Sequence, residues 1–288
     1  MKLFKKEKID NKSIIHFLGL KIKYSKKQTQ ENHQVSSDID KKLTSEQWGN
    51  LYNVNQVKNV VSDIENKIYS VQTEELLRII PVGASTLEIG SGSGATSLCL
   101  AKKGCRATAL DFSKKCLDLT QAVAKELNID IKTICIDATK DLPFQEKQFD
   151  YIFHAGLLEH FTKEEQIQML SHWRKYCKTM ISLVPNASSL GYRVGKKEME
   201  ENGTWPYGIE SPLLTQRDIF AQAGYEVEKE YSIGIEHSFN FLKSDDELRK
   251  VLKKYLDANK ITNDFNQGYL LVTIGENKGW NMKINHLM

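Results

Sequence analysis

The sequence predicts an α/β fold in which a doubly wound, mostly parallel sheet carries helices on both faces. Short apolar runs alternate with helix-like segments between residues 85 and 184, and the connections between them are short. The first apolar run ends in three glycines at alternate positions, Gly90, Gly92 and Gly94. A helical pattern follows at once, which predicts a strand, a tight loop and a helix N-terminus in succession.

The glycine loop is expected to bind a ligand, because its free N–H groups and the dipole of the following helix favour an anionic group. The loop alone leaves the ligand open. Its pattern, Gly90-x-Gly92-x-x-Ala95, also satisfies the fingerprint of a dinucleotide-binding loop.

The strands that follow also end in residues suited to a nucleoside. The second, over residues 107–110, ends in Asp111, at the distance from the glycines where an acid can hold both ribose hydroxyls. The third, over 131–136, ends in Asp137-Ala138. The fourth, over 149–153, leads into the segment His154-Ala155-Gly156-Leu157-Leu158-Glu159-His160-Phe161. Ligands bind at the carboxyl ends of strands in such sheets, so these residues are expected at one edge.

The remaining elements complete an alternating pattern. A fifth strand is predicted over residues 180–184, and residues 187–212 read as an irregular lid or binding loop because the connection is unusually long. Strands over 225–233 and 269–275 are expected to form an antiparallel pair. Helices are predicted over 95–101, 113–127, 163–177 (with Thr162 and Glu165 as a capping box), 215–223 (capped by Thr215) and 245–258.

The N-terminal region divides into a basic tail, a linker and helices. Residues 1–30 carry nine lysines against two acids, with one short strand or turn expected near residues 14–24. The tail is expected either to pack on the domain or to contact anionic lipid, where each basic residue contributes about 1 kcal/mol. A polar linker follows over 28–42. Helices are then predicted from the capping residues Thr44 and Gln47, and over residues 60–80.

Over residues 48–277 the sequence resembles the class I S-adenosylmethionine-dependent methyltransferases. The resemblance is carried by the glycine loop, Asp111, Asp137-Ala138 and Leu158-Glu159-His160-Phe161. The resemblance implies a Rossmann-like, doubly wound, seven-stranded sheet with one antiparallel strand near the edge and a helical cap. The predicted organisation is a tail and linker (1–43), the cap (44–81), the methyltransferase domain (82–277) with its insertion (187–212), and a C-terminal tail (278–288).

The resemblance also assigns roles around S-adenosyl-L-methionine, the implied cofactor. The glycine loop would contact its methionyl end, and Glu88 would place its ammonium group. Asp111 would accept from the ribose hydroxyls, and Asp137 from the adenine amino group. The implied cofactor-binding residues are Glu88, Gly90, Ser91, Gly92, Gly94, Asp111, Phe112 (against adenine), Asp137, Ala138 (through its N–H), His154 and Ala155.

Methyl transfer needs little covalent machinery, because the sulfonium already makes a good leaving group and the enzyme mainly aligns nucleophile, methyl and sulfur. A hydroxyl acceptor still benefits from a base, and histidine suits that role. His160 and His154 are the predicted catalytic residues, with His237 as an outside candidate. A structural role in fixing its loop is the alternative for His160, as a strand-end cap is for Asp111 and Asp137.

No metal is predicted. The related ubiquinone-pathway O-methyltransferases bind a divalent cation with an acid three positions before a Glu-His pair. In this sequence that position is Gly156, which offers no ligand.

Composition excludes some classes of protein. A net charge of +3 over 288 residues does not argue for nucleic-acid binding, and no apolar run approaches the length of a membrane span. The apolar N-terminal run is too short for a signal-peptide core. Five cysteines without C-x-x-C spacing suit a reducing compartment, so a cytoplasmic protein is expected.

The acceptor is expected to be a small molecule. Arg193, Lys196 and Lys197 of the insertion could meet phosphate or carboxylate, although a solvated charged face explains the lysines equally, and Trp205 and Tyr207 could stack on a sugar or an aromatic ring. The tail resembles short tails of bacterial enzymes of surface-polysaccharide assembly in the run Phe17-Leu18-Gly19-Leu20-Lys21-Ile22-Lys23. O-methylation of a sugar or glycan precursor is therefore the leading hypothesis. A non-catalytic binding module and an NAD(P)-dependent oxidoreductase remain alternatives.

Overall fold

The computed structural model describes residues 6–9, 12–17, 20–25, 42–243, 245–259 and 266–281. In the first three ranges the backbone forms an antiparallel sheet of β1 (Lys6–Ile9), β2 (Lys12–Phe17) and β3 (Leu20–Ser25). The tail therefore has more regular structure than the one short strand or turn expected from its sequence. The predicted linker at 28–42 lies outside the described residues except for Lys42.

The main sheet contains seven strands among the described residues. They are β4 (Ser85–Ile89), β5 (Arg106–Asp111), β6 (Lys132–Cys135), β7 (Phe149–Ala155), β8 (Cys177–Pro185), β9 (Glu226–Ile233) and β10 (Leu270–Glu276). Their order across the sheet is β6-β5-β4-β7-β8-β10-β9. The first five pair in parallel, and β10 runs antiparallel to both β8 and β9. This confirms the predicted doubly wound sheet, whose strand order reverses at β4.

Helices pack on both faces of this sheet. They are α1 (Ser45–Leu51), α2 (Val57–Glu65), α3 (Val71–Ile79), α4 (Ala95–Lys103), α5 (Lys114–Glu126), α6 (Lys163–Trp173), α7 (Leu190–Glu201), α8 (Arg217–Gln222), α9 (Ile235–Ser238) and α10 (Glu247–Asn259). Neighbouring strand residues take opposite faces. Ile152 belongs to a core with Trp173 of α6 and Phe220 of α8, whereas Phe153 packs with Leu76 of α3 and Leu100 of α4.

Two capping boxes predicted from the sequence are confirmed. The Thr44 side chain accepts from the N–H of Gln47, and that of Thr162 accepts from the N–H of Glu165, each with the reciprocal bond present. The helix expected over residues 215–223 begins two residues later, because Thr215 lies outside α8 and accepts from the N–H of Arg217. In the part of the chain that the structure describes, no helix combines the length and the apolar character needed to cross a membrane.

Two predicted helices have different bounds in the structure. The single helix expected over residues 60–80 is two, α2 and α3, because Lys67 adopts a positive φ of 55° and Ser70 caps a new helix start. The helix expected over 163–177 ends at Trp173, and a short 3₁₀ turn then leads into β8 at Cys177. In both places apolar periodicity continues across a backbone break, so the pattern alone joins elements that are separate.

The insertion at residues 187–212 is not wholly irregular, since α7 occupies its first half. Gly191 and Gly195 lie on the side of α7 that faces the segment around residue 241. A Cβ added at Gly195 would meet the carbonyl oxygen of Phe241 at 2.3 Å. These glycines permit a close approach of backbones, which explains why a glycine-containing sequence forms a packed helix here.

Candidate active site

A cavity of about 400 Å³ lies at the carboxyl edge of the sheet. Residues at the ends of β4, β5 and β7 line its floor, among them Glu88, Asp111 and Ala155. Residues of the N-terminal helices, including Trp48 and Tyr52, line its other side. The volume falls within the roughly 300–1,000 Å³ of small-molecule sites, and the position is the switch point at which such sheets bind ligands.

The glycine loop takes the backbone conformation that its sequence predicts. Gly90, Gly92 and Gly94 have φ values of 70°, 53° and 68°, in the left-handed region that favours glycine. Gly94 caps the N-terminus of α4. A Cβ there would lie 2.3 Å from Oγ1 of Thr120, so this position also lacks space for a side chain.

Replacing Gly94 with alanine is expected to lower the free energy of unfolding more than the same change at Gly83. Both glycines have positive φ, which costs an L-residue about 1–2 kcal/mol. Only Gly94 adds overlap with Thr120, since a Cβ at Gly83 meets nothing within 4 Å. Thermal unfolding of the two variants measures the difference, and equal destabilisation would contradict the close packing.

Glu88 is a buried acid at the cavity. Its Oε2 accepts from the N–H of Ser97 at 3.1 Å and from the hydroxyl of Ser97 at 2.6 Å. Burial raises the pKa of Glu88 to about 7, although the two bonds from Ser97 act in the opposite direction. The carboxyl is therefore oriented by α4 and gains from any cationic group that enters the cavity.

Asp111 joins the ends of β4 and β5. Its carboxylate accepts from the N–H of Gly92 at 2.9 Å and from the N–H of Ser113 at 2.8 Å. The strand-end cap considered from the sequence is therefore present, and the same carboxylate lines the cavity. Burial raises its pKa. Phe112 beside it is 42% exposed and also lines the cavity, so its ring is not a core contact.

Asp137 and Ala138 line the cavity after β6. Asp137 forms a local turn, in which its Oδ1 accepts from the N–H of Thr139 at 2.9 Å and from the Thr139 hydroxyl at 2.8 Å. The indole N–H of Trp173 donates to the carbonyl of Ala138 at 3.0 Å. Sequence patterns did not reveal this anchor, because Trp173 lies on a distant helix.

The side chains of His154 and Ala155 lie on opposite faces of the sheet. Ala155 lines the cavity. His154 is fully buried beside Trp173, with ring centroids 6.3 Å apart, and it is absent from the cavity lining. Burial lowers its pKa to about 3, which keeps the ring neutral. The structure therefore does not bring His154 to the expected position, because side chains alternate along β7.

His160 lies at the cavity with one ring nitrogen engaged. Its Nδ1 is 2.5 Å from the carbonyl oxygen of Ile209, and since that oxygen only accepts, Nδ1 carries the proton. Nε2 then holds a lone pair. It is 4.0 Å from Oε1 of Glu159. Burial lowers the pKa of His160, so the ring is a neutral base near pH 7.

Two acids lie beside His160, the buried Glu159 and the half-buried Glu210. Oε2 of Glu159 has no hydrogen-bond partner among the described residues, and the residue is 2% exposed. Glu210, from the insertion, accepts from the hydroxyl of Tyr192. Burial raises the pKa of Glu159 well above its ordinary value, with Glu210 adding to the effect, and burial raises that of Glu210 to about 7. Sequence patterns did not indicate Glu210 as a site residue, because it belongs to the insertion and not to a strand end.

Aromatic rings form a wall from the N-terminal cap to the insertion. Trp48 stacks on Tyr207 at 6.1 Å between centroids and meets the edge of His160 at 5.5 Å. Tyr52 lies over the glycine loop, 3.5 Å from where a Cβ of Gly92 would be. The basic residues of the insertion bond within it instead: Lys196 to Glu200, Lys197 to Glu201 and Arg193 to the carbonyl of Ala187.

His237, the outside candidate, lines the cavity together with Gln72. Nδ1 of His237 and Oε1 of Gln72 are buried without a hydrogen-bond partner in the described ranges. Burial lowers the pKa of His237. Both groups are therefore available to a ligand, on the side formed by α3 and α9.

The residues around the cavity fit the cofactor implied by the resemblance. Oγ of Ser91 is buried at the glycine loop without a partner in the described structure, and Glu88 offers a carboxylate to an ammonium group. Asp111 ends β5 beside the exposed ring of Phe112. These donors and acceptors suit an amino acid end, a ribose and a base within one cavity.

Comparisons with known proteins concern the domain and its fold. Residues 86–180 match a family described as a methyltransferase domain. Phosphoethanolamine N-methyltransferase 1 of Triticum aestivum is 24% identical over 148 residues, which are 50% of this chain and 30% of that protein. The chain thus spans less than a third of that relative's length.

Solved structures share the fold. A SAM-dependent methyltransferase of Thermotoga maritima superposes with a TM-score of 0.52 at 15% identity, over 72% of this chain and 88% of that chain. The PH0226 protein of Pyrococcus horikoshii gives a TM-score of 0.50 at 16% identity, also over 72% and 88%. At such identities the likeness concerns the fold.

Proposed function

We propose that this chain, which carries a class I S-adenosylmethionine-dependent methyltransferase domain, transfers the methyl group of that cofactor to a small-molecule acceptor. The observation that carries the proposal is the convergence of Glu88, the glycine loop and Asp111 on one cavity at the switch point of the sheet. All of them lie within the segment that matches the methyltransferase domain.

In this proposal the chain binds and aligns, while the bound cofactor supplies a methyl group on a positively charged sulfur. Glu88 takes the ammonium group and the loop from Gly90 to Gly94 takes the methionyl end. Asp111 accepts from the ribose hydroxyls, and Phe112 lies against the adenine. Asp137 and the N–H of Ala138 read the adenine edge, while Ala155 bounds the reacting end. In this proposal the chain accelerates the reaction mainly by aligning nucleophile, methyl and sulfur.

His160 serves the acceptor in this proposal. Nδ1 is fixed by the carbonyl of Ile209, which leaves Nε2 able to take the proton of an acceptor hydroxyl. His154 has no such role, because it is buried away from the cavity. Trp48 and Tyr207, stacked beside His160, offer apolar faces against which a ring can lie.

The acceptor proposed is a hydroxyl of a sugar or glycan precursor. Aromatic faces next to the carboxyl groups of the buried Glu159 and the half-buried Glu210 suit a ring that bears several hydroxyls. The likeness of the tail to those of bacterial polysaccharide enzymes favours the same class. The basic residues of the insertion give no support for phosphate recognition, since they bond within it.

An assay with isotope-labelled methyl groups tests the acceptor class. We expect transfer to nucleotide sugars or lipid-linked glycans, and little to phenols or to simple amines. The amines matter because the Triticum aestivum relative is named for phosphoethanolamine. If only amines were labelled, the acceptor would be an amine and the proposed hydroxyl acceptor would be wrong. If only protein or RNA were labelled, the proposal of a small-molecule acceptor would be refuted.

The cofactor affinity is expected to rise with pH through the titration of Glu88. Burial raises the pKa of that carboxyl to about 7, so it is mostly protonated at pH 6 and mostly ionised at pH 8. Only the ionised form attracts the ammonium group, which predicts up to about tenfold tighter binding at pH 8. Calorimetric titrations at both pH values measure the change. In Glu88→Gln the affinity should no longer change between the two pH values. If the affinity still rose with pH in this variant, another group would be responsible for the rise.

The reaction is proposed to occur in the bacterial cytoplasm, near the membrane. Four of the five cysteines are buried free thiols, which suits a reducing compartment. The lysines of the tail would contact anionic lipid. The full chain should sediment with vesicles containing phosphatidylglycerol and not with phosphatidylcholine alone. Replacing Lys21 and Lys23 with glutamine should weaken this, and equal binding to both vesicles would refute the contact.

A further inference from the structure

We propose that Glu159, His160 and Glu210 form a binding site for one divalent transition-metal ion beside the acceptor end of the cavity. One ligand atom from each residue lies within 4.8 Å of the other two. Glu159 and His160 are adjacent in the turn after β7, whereas Glu210 comes from the end of the insertion. From the sequence no metal is predicted, because Gly156 offers no ligand next to Glu159 and His160. The carboxylate of Glu210 is distant in the sequence, so the pattern around Gly156 does not include it.

The hydrogen bonds around the three residues prepare them as ligands. Nδ1 of His160 donates to the carbonyl of Ile209, which leaves the lone pair of Nε2 for an ion. The hydroxyl of Tyr192 donates to Glu210. Histidines and carboxylates that bind metals are commonly held by such outer partners, which fix their orientation.

Glu159 supplies the independent sign of a ligand. It is 2% exposed, yet its Oε2 has no hydrogen-bond partner among the described residues. A buried carboxyl oxygen without a partner carries a desolvation cost, which a bound cation at that oxygen would offset. Gly156 leaves room for this carboxyl, because a Cβ at that position would lie 3.3 Å from Oε1 of Glu159.

The dimensions suit an ion after a small closure. Two ligands on opposite sides of an ion with bonds near 2.1 Å are about 4.2 Å apart, and neighbouring ligands about 3 Å. The three side chains therefore need to draw together by about 1 to 2 Å. One imidazole with two carboxylates suits Mn²⁺ or Zn²⁺, since imidazole favours the later metals and carboxylate the harder ones.

This inference rests on the proposed function and changes the part played by His160. With an ion bound, Nε2 is a ligand, and the ion lowers the pKa of a hydroxyl on the acceptor. That hydroxyl loses its proton to water. Its oxygen lone pair forms the new O–CH₃ bond, and the electrons of the S–CH₃ bond remain on sulfur.

Binding of Mn²⁺ to the full-length, chelator-treated chain tests the site. Electron paramagnetic resonance of free Mn²⁺ should report one tight site per chain. Glu210→Gln and Glu159→Gln should each weaken it at least tenfold. The matched control is Glu201→Gln, which removes the same charge from an exposed ion pair with Lys197 and should leave binding unchanged. Thermal unfolding verifies that each variant is folded.

Calorimetry with S-adenosylhomocysteine on the same samples distinguishes failure of the metal site from failure of the proposed function. Cofactor binding with no Mn²⁺ site would overturn the metal inference and leave the proposed function standing. Mn²⁺ binding that survives both Glu159→Gln and Glu210→Gln would also overturn it, because the ion would then lie elsewhere. Loss of the Mn²⁺ site in both variants, with cofactor binding retained, is the result we expect. Absence of cofactor binding would refute the proposed function itself.

Discussion

Replacing His160 with alanine is expected to lower turnover by about 10²-fold or more while cofactor affinity stays nearly unchanged. The imidazole lines the cavity beside the proposed acceptor position, and its Nε2 carries a lone pair that can act on the acceptor. Proton transfer by a positioned side chain contributes about 10²–10⁴-fold. The effect is also expected if Nε2 holds an ion. Turnover under saturating cofactor and acceptor, together with calorimetric cofactor titration, measures both quantities.

His172→Ala is the matched control for this change. His172 lies on α6 near Asp141, and it is outside the cavity lining. Its loss should leave turnover close to that of the parent chain. Unchanged turnover in His160→Ala would make His160 a residue that only fixes its loop, as considered from the sequence.

Replacing Asp111 with alanine is expected to weaken cofactor binding by one to two orders of magnitude, at about 1.4 kcal/mol for each factor of ten. Two losses combine. The ribose loses its acceptor, and the N–H groups of Gly92 and Ser113 lose the carboxylate that ties the glycine loop to β5. Calorimetric titration with S-adenosylhomocysteine measures the change.

Asp118→Ala provides the comparison, since Asp118 lies on α5 in an exposed pair with Lys114. It should bind the cofactor as the parent does. Asp111→Asn keeps one accepting oxygen and should fall between the parent and Asp111→Ala. Parent-like binding by Asp111→Ala would remove the ribose role and leave Asp111 a strand-end cap.

Much of the fold could be predicted because it depends on local patterns. Alternation of apolar runs with helical segments gave the sheet, and Thr44 and Thr162 marked two helix starts correctly. The errors fall where a pattern does not record a backbone change. Lys67 separates α2 from α3 at a positive φ, and Gly195 packs closely within α7 against Phe241.

The candidate site divides along the same line. Residues at strand ends, such as Glu88 and Asp111, could be placed because parallel strands end at one edge. The direction of the His154 side chain could not, since a strand register fixed by packing decides which face each residue takes. Glu210 was also beyond reach, because only the folded insertion brings it to Glu159 and His160.

The central claim is that the glycine loop and the carboxylates at the strand ends together bind one molecule of S-adenosylmethionine. Calorimetric titration of the full chain with S-adenosylmethionine tests this claim most directly. We expect heat from one molecule bound per chain, and a rise in melting temperature on saturation. No heat and no thermal shift would contradict this and favour a non-catalytic module. A melting temperature raised by a nicotinamide cofactor alone would favour an oxidoreductase.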